Sequence, residues 1–88
     1  LRLIATTVAG AARHGRWVGV CGGVAGDPFG ALLLAGLGVT ELSMTPRELP
    51  AVKAMLRSSK ITTLREVATR ALDAETAADV RQLRLTLQ

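Results

Sequence analysis

Tyrosine is absent from this chain of 88 residues, and tryptophan and phenylalanine occur once each, as Trp17 and Phe29. Without a series of rings the chain cannot offer the interleaved aromatic and basic surface on which nucleic-acid bases stack. The formal charge of +4 does not alter this. Arg13, Arg16, Arg47, Lys53, Arg57, Lys60, Arg65, Arg70, Arg81 and Arg84 are dispersed, several with acidic neighbours at helical spacing, and read as a solvated face. No nucleic-acid partner is expected. Cysteine occurs once, so an internal disulfide is excluded and nothing points to an oxidising compartment. Long apolar runs are missing too. The longest, Phe29 to Val39, holds three glycines and falls well short of the roughly 20 residues of a membrane span. No membrane association is expected, and with no signal peptide in view the location expected is cytoplasmic.

What remains is 49% hydrophobic, too much for a disordered chain, and its core must come from Leu, Val, Ile and Ala. The length suits one small domain or a piece of a larger one. Leu1 already lies in a helical pattern, which is expected of a piece cut from a longer protein.

Leu1, Ile4, Val8 and Ala11 recur at helical spacing, and Gly15 is the natural stop. "WVGVC" (Trp17 to Cys21) then reads as a strand, apolar without alternation, as in a parallel sheet covered on both faces. Asp27 is a good N-cap and Pro28 a good first helical residue for "PFGALLLAG", which leaves through Gly36 to Gly38. "VTELSM" (Val39 to Met44) is the second strand. Strand, helix and strand make a βαβ unit, whose two strands are parallel. Thr45 and Glu48 have capping-box spacing, but Pro50 cannot sit deep in a helix, so a turn at Pro46–Leu49 and a helix over about 50–57 are expected. Thr63 and Glu66 predict a further capping box, with Leu64, Val67, Ala68 and Ala71 as its apolar stripe. Thr76 restarts the pattern, with Val80, Leu83 and Leu87 on one face.

The predicted order is α-β-α-β-α-α-α. Two strands cannot bury both faces by themselves, so a piece of a (β/α) barrel or a doubly wound sheet is expected. Residues 1–60 would be its βα units and 61–88 a helical extension packed outside.

Cys21 carries the functional question. A lone cysteine on an apolar strand is commonly a small buried hydrophobe. Cys21, however, falls at the carboxyl end of a parallel strand, where α/β folds place their active sites. The glycines after it, Gly22 and Gly23, let backbone approach a ligand, and the N–H groups there, with the capped helix start, could receive an anion. The loop matches neither a P-loop nor a dinucleotide fingerprint. On the residues alone the two readings of Cys21 stay open.

The stretch from Gly15 to Ser58 resembles the end of the phosphoenolpyruvate-binding barrel of the Enzyme I family, the phosphoenolpyruvate–protein phosphotransferases of bacterial sugar phosphotransferase systems. That family typically reads G-K-W-x-G-M-C-G-E-x-A-G-D, then a leucine-rich helix, then G-x-x-E-F-S-M-S and a helix entered through Ile-Pro. Gly15-Arg16-Trp17, Val20-Cys21-Gly22, Ala25-Gly26-Asp27 and Glu41-Leu42-Ser43-Met44 carry the likeness here. The resemblance implies a (β/α)8 barrel, of which this chain would be the C-terminal portion. It also implies that phosphoenolpyruvate gives its phosphoryl group to a histidine on a separate domain, and from there to a phosphocarrier protein. Cys21 would then protonate enolpyruvate to pyruvate, with the backbone of Gly22 in the substrate site. A thiol suits that step: with an ordinary pKa of about 8.5 it is mostly protonated near neutral pH, yet releases its proton readily.

One position departs from the pattern: Gly23 stands where the family usually has Glu, which leaves the local tuning of the thiol open. No arginine cluster precedes Cys21, and no Asp/Glu pair is placed for the Mg²⁺ that the resemblance implies for the parent, so the isolated chain is expected to be inactive. His14 reads as a surface or helix-end residue, Asp27 as a cap, Glu41 as structural, and Trp17, Met44 and Met55 as core. Two other readings stand beside the first. Pyruvate phosphate dikinase and phosphoenolpyruvate synthase share the barrel and the cysteine, though "VAGDPFG" favours Enzyme I. Alternatively the chain is a non-catalytic assembly module; homodimers or other self-association are expected from its open apolar faces.

Overall fold

The computed structural model describes residues 1–87 and is built around one helix. That helix, α3 (Pro28–Leu37), is buried residue after residue from Gly30 to Leu34. Its start follows from local chemistry. The Gly30 N–H donates to Asp27 Oδ2 at 2.8 Å, and Pro28 occupies the first turn, where a missing N–H costs nothing. Its end is a left-handed Gly38 with φ of 100°, whose N–H donates to the carbonyls of Ala35 and Leu34.

On one side of α3 lie helix α1 (Arg2–Ala12) and two short strands, β1 (Gly19–Val20) and β2 (Glu41–Leu42). Ala25, Leu34 and Val39 form the buried centre of this layer, with Ile4, Val8, Val18, Val20 and Leu42 packed against it. The strands are parallel, as expected, with Gly19 opposite Glu41 and Val20 opposite Leu42. Hydrogen bonds from Thr40 N to Val18 O (3.1 Å) and from Ser43 N to Val20 O (2.9 Å) carry the pairing one step further at each end.

On the other side lie α5 (Ile61–Asp73), α6 (Ala77–Gln82) and a 3₁₀ turn, Leu83–Leu87. Leu33, Val67 and Ala71 are the buried centre here, and Phe29, Val80, Leu83 and Leu87 close around them. The predicted stripe of Leu64, Val67, Ala68 and Ala71 is buried throughout. The helices touch at Gly36, where a Cβ would run into the Leu64 carbonyl. Arg2 adds a tie by donating from Nε to Leu72 O at 3.1 Å. Helix α4 (Leu49–Arg57) lies at the edge of α3 and buries only Val52.

The architecture is therefore a helix-rich α/β arrangement with two parallel strands, and several expectations are corrected. The strands are two residues long rather than five or six, because they pair in register only at Gly19–Glu41 and Val20–Leu42. Gly23–Gly26, expected as loop, closes into a helical turn, α2, because Ala25 is drawn wholly into the core. Helix α5 starts at Ile61 after Lys60, so Thr63 lies inside it and forms no capping box. At α4, Glu48 itself is the N-cap and its side chain makes no capping bond. Thr76, expected only to restart the helical pattern, is the N-cap of α6, its side chain accepting from Asp79 N at 3.1 Å. Trp17 and Met55, read as core, are 69% and 37% exposed. The Trp17 ring lies beside Gly19, close to where a Cβ on that residue would stand, and on α4 only Val52 is buried. The predicted extension 61–88 ends at Gln88, which lies outside the described residues.

Candidate functional site

Parallel pairing brings the carboxyl ends of β1 and β2 to the same side. The chain leaves β1 through Cys21, whose thiol is free and exposed. Directly after it, Gly22 takes φ of 97°, a conformation that L side chains rarely adopt. That reversal turns the chain into α2. Ala25 N donates to Gly22 O and Asp27 N to Gly23 O, both at 3.1 Å, which ties the turn to the start of α3.

Space around the thiol is open. A Cβ at Gly22 or at Gly23 would meet nothing within 4 Å. At Gly22 glycine is required by conformation alone. At Gly23 neither conformation nor space requires it, so a longer side chain there has room. The start of α3 is less available to an anion than its sequence indicated. Asp27 takes the Gly30 N–H with its side chain and the Ala31 N–H with its backbone carbonyl, at 2.8 Å each. Asp27 is thus a cap, as expected.

From the β2 side, the chain passes Ser43 and Met44 and turns at residues 46–48, with Glu48 N donating to Thr45 O at 3.0 Å. The half-buried Glu48 side chain crosses to the Cys21 side. Its carboxylate occupies the place that a Cβ on Gly26 would take. Sequence reasoning missed this contact. The sequence offers Glu48 only as half of a capping box, and no local pattern tells a capping glutamate from one that reaches to a neighbouring loop.

The remaining candidates lie apart. His14 is exposed in the turn after α1. Glu41 is exposed on β2, opposite Gly19. Among the described residues no three His, Cys, Asp or Glu side chains gather as a metal site. A groove of about 550 Å³, lined by Leu1, Phe29, Leu33, Ala71 and Val80 among others, reaches Val24 and Asp27 but not Cys21. Among the described residues no helix is long and apolar enough to cross a membrane.

Residues 1–61 match the family model described as "PEP-utilising enzyme, PEP-binding domain". A multiphosphoryl transfer protein of Xanthomonas campestris pv. campestris is 63% identical over 83 residues, which cover 94% of this chain and 10% of that protein. One from Rhodobacter capsulatus is 51% identical over 84 residues, covering 96% of this chain and 10% of its own length. A phosphoenolpyruvate-protein phosphotransferase of Haloferax volcanii is 45% identical over 87 residues, covering 99% and 15%. The chain spans only about a tenth of the first two proteins.

Proposed function

The chain belongs to the PEP-utilising enzymes, through their PEP-binding domain, and from that premise we propose that it closes a (β/α)8 barrel in a phosphoenolpyruvate–protein phosphotransferase. Residues 1–60 supply the last βα units, and 61–88 form a helical extension. The observation that carries the reading is the exposed thiol of Cys21 at the carboxyl end of a parallel strand, inside the matched stretch. Functional residues of barrels sit at that end. The names of the relatives support a phosphotransferase over a dikinase or a synthase.

Phosphoenolpyruvate first loses its phosphoryl group to a histidine elsewhere in the parent protein, which hands it on to a phosphocarrier protein. Enolpyruvate is left behind. Its C2–C3 electron pair then takes the proton of the Cys21 thiol, forming a C–H bond at the methylene carbon and a carbonyl at C2. The products are pyruvate and a thiolate, which recovers its proton from solvent. In reverse, the thiolate removes a methyl proton from pyruvate. Gly22, with no side chain and its backbone reversed, lets main chain rather than side chain line the substrate.

The phosphate clamp, the Mg²⁺ site and the histidine belong to the rest of the parent, so no step on this chain is routed through a metal. By itself the chain binds no complete substrate and is catalytically silent. The test is Cys21→Ala in the full-length protein. We expect the fold to survive and pyruvate formation to fall roughly 10²–10⁴-fold, the range of general acid–base catalysis. Normal turnover in that variant sinks the assignment. Pyruvate released by the 88 residues alone, given phosphoenolpyruvate and a phosphocarrier protein, sinks the claim that the chain is silent.

A further inference from the structure

Glu48 is the N-cap residue of α4, yet its charged side chain makes no capping bond there. Instead it leaves its own turn and lays its carboxylate on Gly26, at the last residue of α2. Gly26 is buried, and the neighbouring Ala25 is fully buried in the layer beneath the strands. The turn after Cys21 is therefore held from two directions, by the core through Ala25 and by Glu48 through Gly26.

The path from there to the thiol is short and stiff. Ala25 N donates to Gly22 O, and Gly22 is the reversed residue directly after Cys21. A shift of α2 must move that carbonyl, and with it the peptide that carries the thiol. The contact also joins the two loops that follow the parallel strands, at the end where Cys21 lies.

We propose that Glu48 is the positioning residue for Cys21: its carboxylate, seated on Gly26, sets α2 and so the direction from which the thiol meets substrate. The inference rests on the reading of Cys21 as proton donor. It accounts for Gly26, since any side chain there would displace the carboxylate. The role is one of shape, so glutamine should serve better than either a shorter acid or alanine.

The experiment uses the full-length protein and four variants, Glu48→Ala, Glu48→Gln, Gly26→Ala and the double Gly26→Ala/Glu48→Ala, with Cys21→Ala as reference. Misplacing a reacting group by about 1 Å can cost on the order of 10²-fold. We expect kcat for pyruvate formation to fall roughly 10- to 100-fold in Glu48→Ala and in Gly26→Ala, with KM for phosphoenolpyruvate within about twofold of the parent. Glu48→Gln should recover a large part of the loss. In the double variant the new methyl group stands where the carboxylate stood, so the two losses should not multiply. If Glu48→Ala keeps its kcat while Cys21→Ala is inactive, the role of Glu48 is refuted and that of Cys21 stands. Multiplying losses in the double variant, or a rise in KM without a fall in kcat, also overturn it. If Cys21→Ala turns over normally, the proton-donor reading fails first. Should Glu48→Ala not fold, the glutamine and double variants decide by the same criteria.

Discussion

Two adjacent glycines after Cys21 look interchangeable in the sequence, yet the backbone separates them. Gly22 has φ of 97°, whereas Gly23 sits in the first turn of α2 with open space where a side chain would go. Gly22→Ala should therefore cost about 1–3 kcal/mol, the penalty for forcing a side chain into a positive-φ, extended-ψ conformation that is essentially glycine's alone. Gly23→Ala should be neutral or stabilising by up to about 1 kcal/mol, since it removes backbone freedom from the unfolded chain. Thermal unfolding of the two variants checks the contrast, and equal losses would contradict the backbone described here. Legibility at this scale follows the range of the interaction. Asp27 and Pro28 could be read in advance because a cap is made within three residues of itself. Cys21 could be singled out by its place at a strand end. Glu48 on Gly26, and Gly36 against Leu64, could not, because each contact joins segments far apart in sequence.

The helices were legible where an apolar stripe had a partner to meet, as in α5, whose four predicted core residues are all buried. The strands were legible in position and direction but not in length, since pairing extends only as far as a neighbour exists. Helix α2 was hidden by its glycines. Gly22 and Gly23 signalled a loop, while burial of Ala25 decided for a helical turn. Helix α5 also supports a prediction. It supplies Leu64, Val67, Ala68 and Ala71, most of the buried apolar surface opposite α3. A chain ending at Lys60 should lose the cooperative thermal transition of the 88-residue chain, because Leu33 and Phe29 would face water. A sharp transition retained by that shortened chain, followed by circular dichroism, would show that the βα layer stands without α5.

For the molecule as a whole, among the described residues the strands leave two unpaired edges, and apolar side chains stay in water. Leu3, Trp17 and Leu85 are the most exposed of these. The 88-residue chain should therefore self-associate in sedimentation velocity at micromolar concentration, and a single monomeric species across the range would count against an open sheet. The same open edges are the mismatch from which the sequence suggests a larger α/β sheet: strands built for burial, and little that covers them. The position of α3 has one more effect, on timing during synthesis. Its apolar body is covered on one side by α5, which is encoded later in the chain. A ribosome adds roughly 5–20 residues per second, so the most apolar helix waits on the order of seconds, nascent and half clothed, for its cover to emerge. In that interval Leu32 and Leu33 are open to chaperones and to other nascent chains. Slow codons between α3 and α5 would lengthen the wait.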